Sequence, residues 1–499
     1  MESAFSSQNR LIIVSNRLPI VLSKAQDDEW QVEPGSGGLV TAMAPVLKNR
    51  GGVWIGWPGN MEDDGLDTED LLAKQTQKFG YHLKPVSLTA EEIQKYYKGF
   101  ANEIIWPLFH DLIDHCNFDP IYWEAYREVN RKFAEVTIKD NRSEDFVWVH
   151  DYHLMCVGEE LRKMGIKSQV AFFLHIPFPP PDVFLRLPWR FQILNALLEY
   201  DLLGFQTLRD RRNFMQCVRI MFKEVRRFGG GQVFRLRIGK REIRVGAFPI
   251  SIDYHEFSRT AATKEVADKA WYIHEDIPKG KIILGVDRLD YTKGIPQRMK
   301  AYQNALRRFP ELRENVTFVQ VVVPSRRDIP EYEHLKEQIE RLVGEINGEF
   351  TRSGWVPFHY IFRSLDRQEL VAYYRTSEIA LITPLKDGMN LISKEYCASN
   401  QDGNGVLILS EFAGTVAQFQ KYALLVNPHD IEGVANAIHQ AYHMPEDERK
   451  SRMQRLRLNV RRYNIFWWVD SFLDAAIAKN LDNFPLLEDY VPTQQTAES

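Results

Sequence analysis

One repeated unit constrains this chain more than anything else in it: a short unbroken apolar run, a polar or glycine-rich end, then a helical pattern. Leu11-Ile12-Ile13-Val14-Ser15 ends in Asn16-Arg17, Phe146-Val147-Trp148-Val149 in His150-Asp151-Tyr152-His153, and Val170-Ala171-Phe172-Phe173-Leu174 in His175. The second half repeats it with Lys281-Ile282-Ile283-Leu284-Gly285-Val286, Val316 to Val323, Ile379-Ala380-Leu381-Ile382, Val406 to Ser410 and Ala423 to Val426. A strand that is apolar at every position is covered on both faces, the condition of a parallel sheet between helices. Strands alternating with helices through both halves therefore predict an α/β chain of two doubly wound domains. Ligands of such sheets bind beyond the carboxyl ends of the strands. Since both halves carry polar strand ends, the expected site is a cleft between them.

Length agrees, because 499 residues are too many for one core. A boundary is expected near residues 250–255, and the tail from Val491-Pro492 onward reads as disordered. The net charge of -4 gives no electrostatic reason for a nucleic-acid or membrane partner. No apolar stretch approaches the length of a membrane span, and no signal peptide is read at the start. Cys116, Cys156, Cys217 and Cys397 are scattered without metal spacing, which suits reduced thiols in a cytoplasmic protein.

Chemistry concentrates after Ile382. Pro384 ends that strand, Asp387-Gly388 signals a turn, and Asn390 is placed to cap a helix through Leu391-Ile392-Ser393-Lys394-Glu395. The N–H groups of Leu391 and Ile392 would suit a phosphate, and Asp387 and Glu395 would suit sugar hydroxyls. An ordinary capped connection has the same sequence signature. Arg288 and Lys293, after the strand from Lys281, would suit a diphosphate or would simply be solvated. Gly35-Ser36-Gly37-Gly38 enters a helix without the spacing of a dinucleotide fingerprint, and the segment between Arg17 and this turn reads as flexible. Trp54, Trp57, Tyr96, Tyr97 and Trp106 are core or sugar platforms. His150, Asp151 and His153 lack a zinc-site spacing, so Asp151 is read as a strand-end acid for a sugar hydroxyl. His175 is a core histidine or a ligand contact. Leu335, Ile339 and Leu342 mark the core face of the helix after Arg326-Arg327.

Taken in order, Ser15-Asn16-Arg17, Gly37-Gly38, Gly56-Trp57, Trp106-Pro107, His150-Asp151-Tyr152-His153, Phe172 to Pro179, Arg288 to Gly294 and Asp387 to Leu391 resemble the trehalose-6-phosphate synthases, from about residue 11 to about residue 470. The resemblance implies the glycosyltransferase-B fold: two Rossmann-like domains facing a central cleft. The first would span 1–252, completed by a C-terminal helix at about 464–490; the second would span 253–463, with a disordered tail at 491–499. It implies glucose transfer from UDP-glucose to glucose 6-phosphate, with retention and with no metal or other cofactor. By motif, Arg288, Lys293, Asp387 and His175 are the implied catalytic residues. Donor contacts would be Gly37, Gly38, Arg288, Lys293, Leu365 and the run Asp387, Gly388, Met389, Asn390, Leu391, Ile392, Ser393, Lys394, Glu395. Acceptor contacts would be Arg17, Trp57, Tyr97, Trp106, Asp151 and Arg326. The family also implies a homo-oligomer, a tetramer among the forms, a separate trehalose-6-phosphate phosphatase acting next, and a part in stress protection.

Cationic groups and a helix start would stabilise the departing diphosphate without a metal. No carboxylate is placed as a nucleophile for a two-step retaining scheme, and the resemblance implies a front-face reaction instead. Lys386 stands where the family commonly has Arg, and Ile392-Ser393 where it has Val-Ala; Ser393 would meet the phosphates or face solvent. Two rivals stand beside this reading: a glucosylglycerol-phosphate synthase, and a regulatory subunit that binds sugar phosphate without catalysis.

Overall fold

The computed structural model describes residues 10–24, 30–35, 38–59, 71–74, 79–277, 280–325, 330–481, 484 and 487–492. It divides into two compact units, Met1–Ile250 with Phe466–Leu487, and Ser251–Ile465 with Glu488–Ser499.

The strands of the first unit are β1 (Leu11–Arg17), β2 (Ile20–Lys24), β3 (Trp30–Pro34), β4 (Val53–Trp57), β5 (His82–Pro85), β6 (Phe146–His150), β7 (Gln169–Phe173), β8 (Leu202–Phe205), β9 (Val225–Phe228), β10 (Val233–Ile238) and β11 (Arg241–Ala247). Nine of them form one sheet in the order β5-β4-β1-β6-β7-β8-β11-β10-β9. Every pair from β5 to β11 is parallel, and β10 and β9 extend the edge antiparallel. The chain starts in the middle at β1, winds outward through β4 and β5, then returns to lay β6 on the other side of β1. The winding thus reverses between β1 and β6, and that reversal opens a crevice at the strand ends.

The second unit contains β12 (Lys281–Arg288), β13 (Val316–Val323), β14 (Phe358–Ile361), β15 (Ile379–Ile382), β16 (Val406–Ser410) and β17 (Leu424–Val426). Their order is β14-β13-β12-β15-β16-β17, all parallel, with the reversal between β12 and β15. Both units are therefore doubly wound α/β sheets, as the apolar runs predict. In the second unit Ile283, Phe318, Ile379 and Ile408 of the sheet meet Tyr302, Ile339 and Ile438 of the covering helices in one core. Leu335, Ile339 and Leu342 all lie in that core.

Two expectations need correction. The segment after Arg17 is not featureless: β2 and β3 pair as an antiparallel ribbon from Ile20↔Pro34 to Lys24↔Trp30. Tyr96 and Tyr97 lie on a π-helix, Ile93–Ile105. The C-terminal helix is Ile465–Ile477 and stops well short of residue 490. Asn480, Asp482, Asn483 and Pro485 follow its end, a run of helix-breaking residues. That helix supplies Phe472, whose ring stacks on Trp148 of β6 at 4.2 Å and 5°. Trp468 on the same helix donates its indole N–H to Phe248 O at 3.0 Å. Of the expected tail, Val491 is 65% exposed, and residues 493–499 lie outside the described residues.

Candidate active site

In the first unit the expected acceptor residues gather at the winding reversal. Arg17 ends β1 and pairs in register with Trp57 at the end of β4. The register shifts between Val14 and Arg17. Gly56 makes room for this, because a Cβ there would lie 2.7 Å from Leu18 N and 2.8 Å from the Arg17 carbonyl carbon. The Arg17 guanidinium consequently sits 4.1 Å from the centre of the Trp57 ring, a cation–π arrangement. Tyr97 meets Trp57 edge-on at 5.8 Å and stacks on His153 at 5.8 Å and 12°. Asn102 fixes the π-helix here, donating to Tyr97 O at 2.6 Å and accepting from the Tyr152 hydroxyl at 3.1 Å. Trp106 is buried, 4.3 Å from the His110 ring and 5.7 Å from Tyr152.

Asp151 follows β6 directly, with φ 73° and ψ 166°. Only glycine visits that region freely, and another residue there costs on the order of 1–3 kcal/mol. The carboxylate helps to hold it: Oδ1 accepts from the N–H of Tyr152 at 3.0 Å and of His175 at 3.3 Å. The Asp151 N–H donates to Phe173 O at 2.8 Å.

His175 lies after β7 and is buried. Gln206 Oε1 accepts from Ile250 N at 2.9 Å, which turns the Gln206 Nε2 toward His175 Nδ1 at 3.3 Å. Nδ1 is then the acceptor, Nε2 carries the proton, and Nε2 donates to His150 Nδ1 at 3.1 Å. Burial holds His175 neutral, its pKa lowered to about 3. His150 is lowered as well, by burial first and by the neighbouring His175 second. Both nitrogens of His175 are thus engaged inside the unit. Among the described residues, His150, Asp151 and His153 do not bring their ligand atoms together as a metal-binding group.

In the second unit the expected donor residues flank the reversal between β12 and β15. After β12, Asp290 Oδ1 accepts from the N–H of Thr292 at 2.9 Å and closes the turn Tyr291–Lys293. Gly294 follows at φ 65°, and a Cβ there would stand 2.5 Å from Thr383 O. That close approach lets Leu385 N donate to Thr292 O at 2.8 Å, joining the loop after β12 to the loop after β15. Lys293 Nζ reaches Asp387 Oδ2 at 2.7 Å. Asp387 Oδ1 also accepts from Met389 N at 3.2 Å. Asn390 adopts the left-handed conformation, φ 57° and ψ 65°, and its Oδ1 accepts from Ser393 N at 3.2 Å. It is the N-cap of the helix Leu391–Ser399.

That helix turns its residues in different directions. The Ser393 hydroxyl meets neither solvent nor an open surface: it is fully buried, donates to Asn390 O at 2.8 Å and lies 3.0 Å from Thr415 Oγ1. Ser393 therefore braces the helix start. Lys394 is 1% exposed, and burial lowers its pKa to about 7. Glu395 accepts from the Tyr374 hydroxyl at 2.9 Å. Burial raises its pKa, with Arg367 and Tyr374 opposing. Ile392 is half-buried, and Gly388 is buried. Arg288 is exposed at the end of β12. Leu365 is half-buried just before the helix Arg367–Thr376. Gly38 opens the helix Gly38–Arg50. Gly37 and Arg326 lie outside the described residues.

A supporting network went unread in the sequence. Arg298 is 1% exposed and pairs with Asp287 inside β12. It also donates to Gln320 Oε1 at 3.0 Å, Thr383 Oγ1 at 3.0 Å and Lys293 O at 3.1 Å. Burial raises the Asp287 pKa, while the Arg298 charge and hydrogen bond lower it. The available signal was an acid within an apolar strand, which requires a buried cation.

Comparison with known proteins agrees with this layout. The sequence model described as glycosyltransferase family 20 matches residues 9–478. The trehalose-6-phosphate synthase of Mycolicibacterium gilvum (strain PYR-GCK) is 41% identical over 486 residues, 96% of this chain and 95% of that protein. A crystal structure of an α,α-trehalose-phosphate synthase (UDP-forming) from Burkholderia xenovorans, in complex with glucose-6-phosphate, superposes with a TM-score of 0.84 at 34% identity. It covers 94% of this chain and 100% of its own. An E. coli trehalose-6-phosphate structure bound with UDP-2-fluoro glucose gives a TM-score of 0.84 at 33% identity, covering 94% and 99%. With both sheets reversing where these motifs stand, the chain belongs to glycosyltransferase family 20.

Proposed function

We propose that this chain transfers glucose from UDP-glucose to glucose 6-phosphate with retention, giving α,α-trehalose 6-phosphate and UDP. The observation that carries this reading is Lys293 beside Asp387 at the reversal of the second unit, ahead of a capped helix start. Lys293 and Arg288 take the diphosphate, and the first-turn N–H groups of Leu391 and Ile392 add partial positive charge. Negative charge grows on the diphosphate as the glycosidic bond breaks, so fixed cations stabilise the transition state more than the bound donor. Asp387 accepts from sugar hydroxyls, and Glu395 from the ribose.

On the first unit, Arg17 reads the acceptor phosphate and Asp151 accepts from the acceptor sugar, with Trp57, Tyr97 and Trp106 forming the apolar wall. The reaction runs without a metal, because cationic side chains meet the diphosphate. The enzyme is a cytoplasmic homo-oligomer, and its product passes to a separate phosphatase; among the described residues no helix is long and apolar enough to cross a membrane. The related bacterial synthases, one with glucose-6-phosphate bound, support the choice of substrates. The test is UDP release from UDP-glucose with glucose 6-phosphate, glucose or glycerol 3-phosphate offered singly. Glucose 6-phosphate should be strongly preferred. Preference for glycerol 3-phosphate would transfer the chain to the glucosylglycerol-phosphate reading, and no UDP release would make it a binding subunit.

A further inference from the structure

At the opposite end of the second unit's sheet, Glu311, His439 and His443 bring their ligand atoms within 4.8 Å of one another. Glu311 lies in the turn Pro310–Leu312 that leads into β13, so it stands at the strand starts. The histidines lie on the helix Ile431–His443, which runs back from the end of β17 to that same end of the sheet. Lys293, Asp387 and Asn390 all follow strand ends. The cluster is therefore separate from the candidate active site.

The spacing His439-x-x-x-His443 puts two imidazoles on one helix face one turn apart, the bidentate arrangement that zinc uses in helical sites. Glu311 Oε1 is 2.8 Å from His439 Nε2 and 3.7 Å from His443 Nε2. Metal–ligand bonds of about 2.0–2.2 Å in a tetrahedron set donor atoms roughly 3.3–3.6 Å apart. The observed pair of distances brackets that edge. A hydrogen bond accounts for the shorter contact, and the second imidazole stands within ion-pairing range of the same oxygen, edge-on to the His439 ring at 4.6 Å. The His439 ring is held by stacking on Phe309 at 4.1 Å and 19°, so its orientation is set before any ion arrives. Gln440 follows His439, where the helical hydrolase motif has its glutamate, so nothing here supplies that motif's general base.

We propose that Glu311, His439 and His443 form a three-ligand zinc site, completed by water, that fastens the C-terminal end of this helix to the turn before β13. Two imidazoles and one carboxylate suit zinc far better than magnesium or calcium, which require oxygen ligands. The role is structural or regulatory, and glucosyl transfer proceeds without it.

The test is calorimetric titration of the full chain with zinc chloride, alongside thermal unfolding with zinc or with chelator. The wild type should take up one equivalent and unfold at a higher temperature with zinc. His439→Ala, His443→Ala and Glu311→Gln should each weaken binding at least tenfold and remove the zinc-dependent shift. Their unfolding in chelator should match the wild type, since these side chains are partly or fully exposed. Absence of saturable zinc uptake by the wild type would overturn the proposal. So would unchanged stoichiometry and affinity in the His439→Ala/His443→Ala double variant.

Discussion

Lys293 and Asp387 come from the two loops that flank the winding reversal of the second unit, and their charged atoms meet at 2.7 Å with side chains 13% and 12% exposed. Separated by 94 positions in sequence, they are brought into contact by the return of β15 to the side of β12. Asp387 holds the Lys293 ammonium in place at the proposed donor site. Lys293→Ala should lower kcat by roughly a hundredfold or more, because its contact to the diphosphate strengthens as charge develops. Steady-state kinetics on the folded variant check this; a kcat near wild type would remove Lys293 from the chemistry.

Arg298 should matter through stability. Removing it leaves Asp287 buried without its cation, which costs about 3–5 kcal/mol. Arg298→Met should shift the urea midpoint accordingly and should also raise KM for UDP-glucose, since Lys293 O and Thr383 lose a common anchor. A variant as stable as wild type would show that the network is not what holds the two loops together.

Asp151 separates fold from function. Asp151→Gly relieves a backbone conformation costing about 1–3 kcal/mol, whereas Asp151→Ala retains the strain and loses the carboxylate's hydrogen bonds. The glycine variant should be more stable than the alanine variant by that amount, while both lose turnover with glucose 6-phosphate. Equal unfolding midpoints would refute the strain.

Acid should weaken the first unit through His175. Its pKa is about 3 when folded against 6.5 for an ordinary histidine. Between those values the unfolded chain binds the extra proton, so stability is full above 6.5 and is lost as the pH falls toward 3. The loss should be about 1.4 kcal/mol per pH unit for this group alone. Urea midpoints of the wild type measured at falling pH should show it, and His175→Asn should lose less over the same range. A flat wild-type profile would contradict a neutral, buried His175.

What the sequence discloses follows from how local each device is. The strand Ile379–Ile382 and the cap at Asn390 are contiguous patterns, an unbroken apolar run and a residue type suited to a helix start, and both stand where expected. The apolar-run pattern does not mark β10, because Val233-Phe234-Arg235-Leu236-Arg237-Ile238 alternates as a strand with one solvent-facing side does. Arg298 reads as one more helical arginine until β12 and β13 bring Asp287 and Gln320 against it. Glu311 and His439 are 128 residues apart, so only the path of the helix after β17 unites them. The positive φ of Asp151 leaves no trace in residue type, since the neighbouring Asp-Tyr sequence carries no glycine signal.

Metal-free joining of two glucose units, with Lys293 and Arg288 on the diphosphate and Arg17 on the acceptor phosphate, is the proposed reaction. Its most direct test is NMR of the product formed from UDP-glucose labelled at the anomeric carbon and glucose 6-phosphate in excess chelator. The expected product is a single 1,1-linked disaccharide phosphate with the label in the α configuration, formed in step with UDP release. A β-configured label, free labelled glucose as the main product, or a reaction that needs an added divalent cation would contradict it.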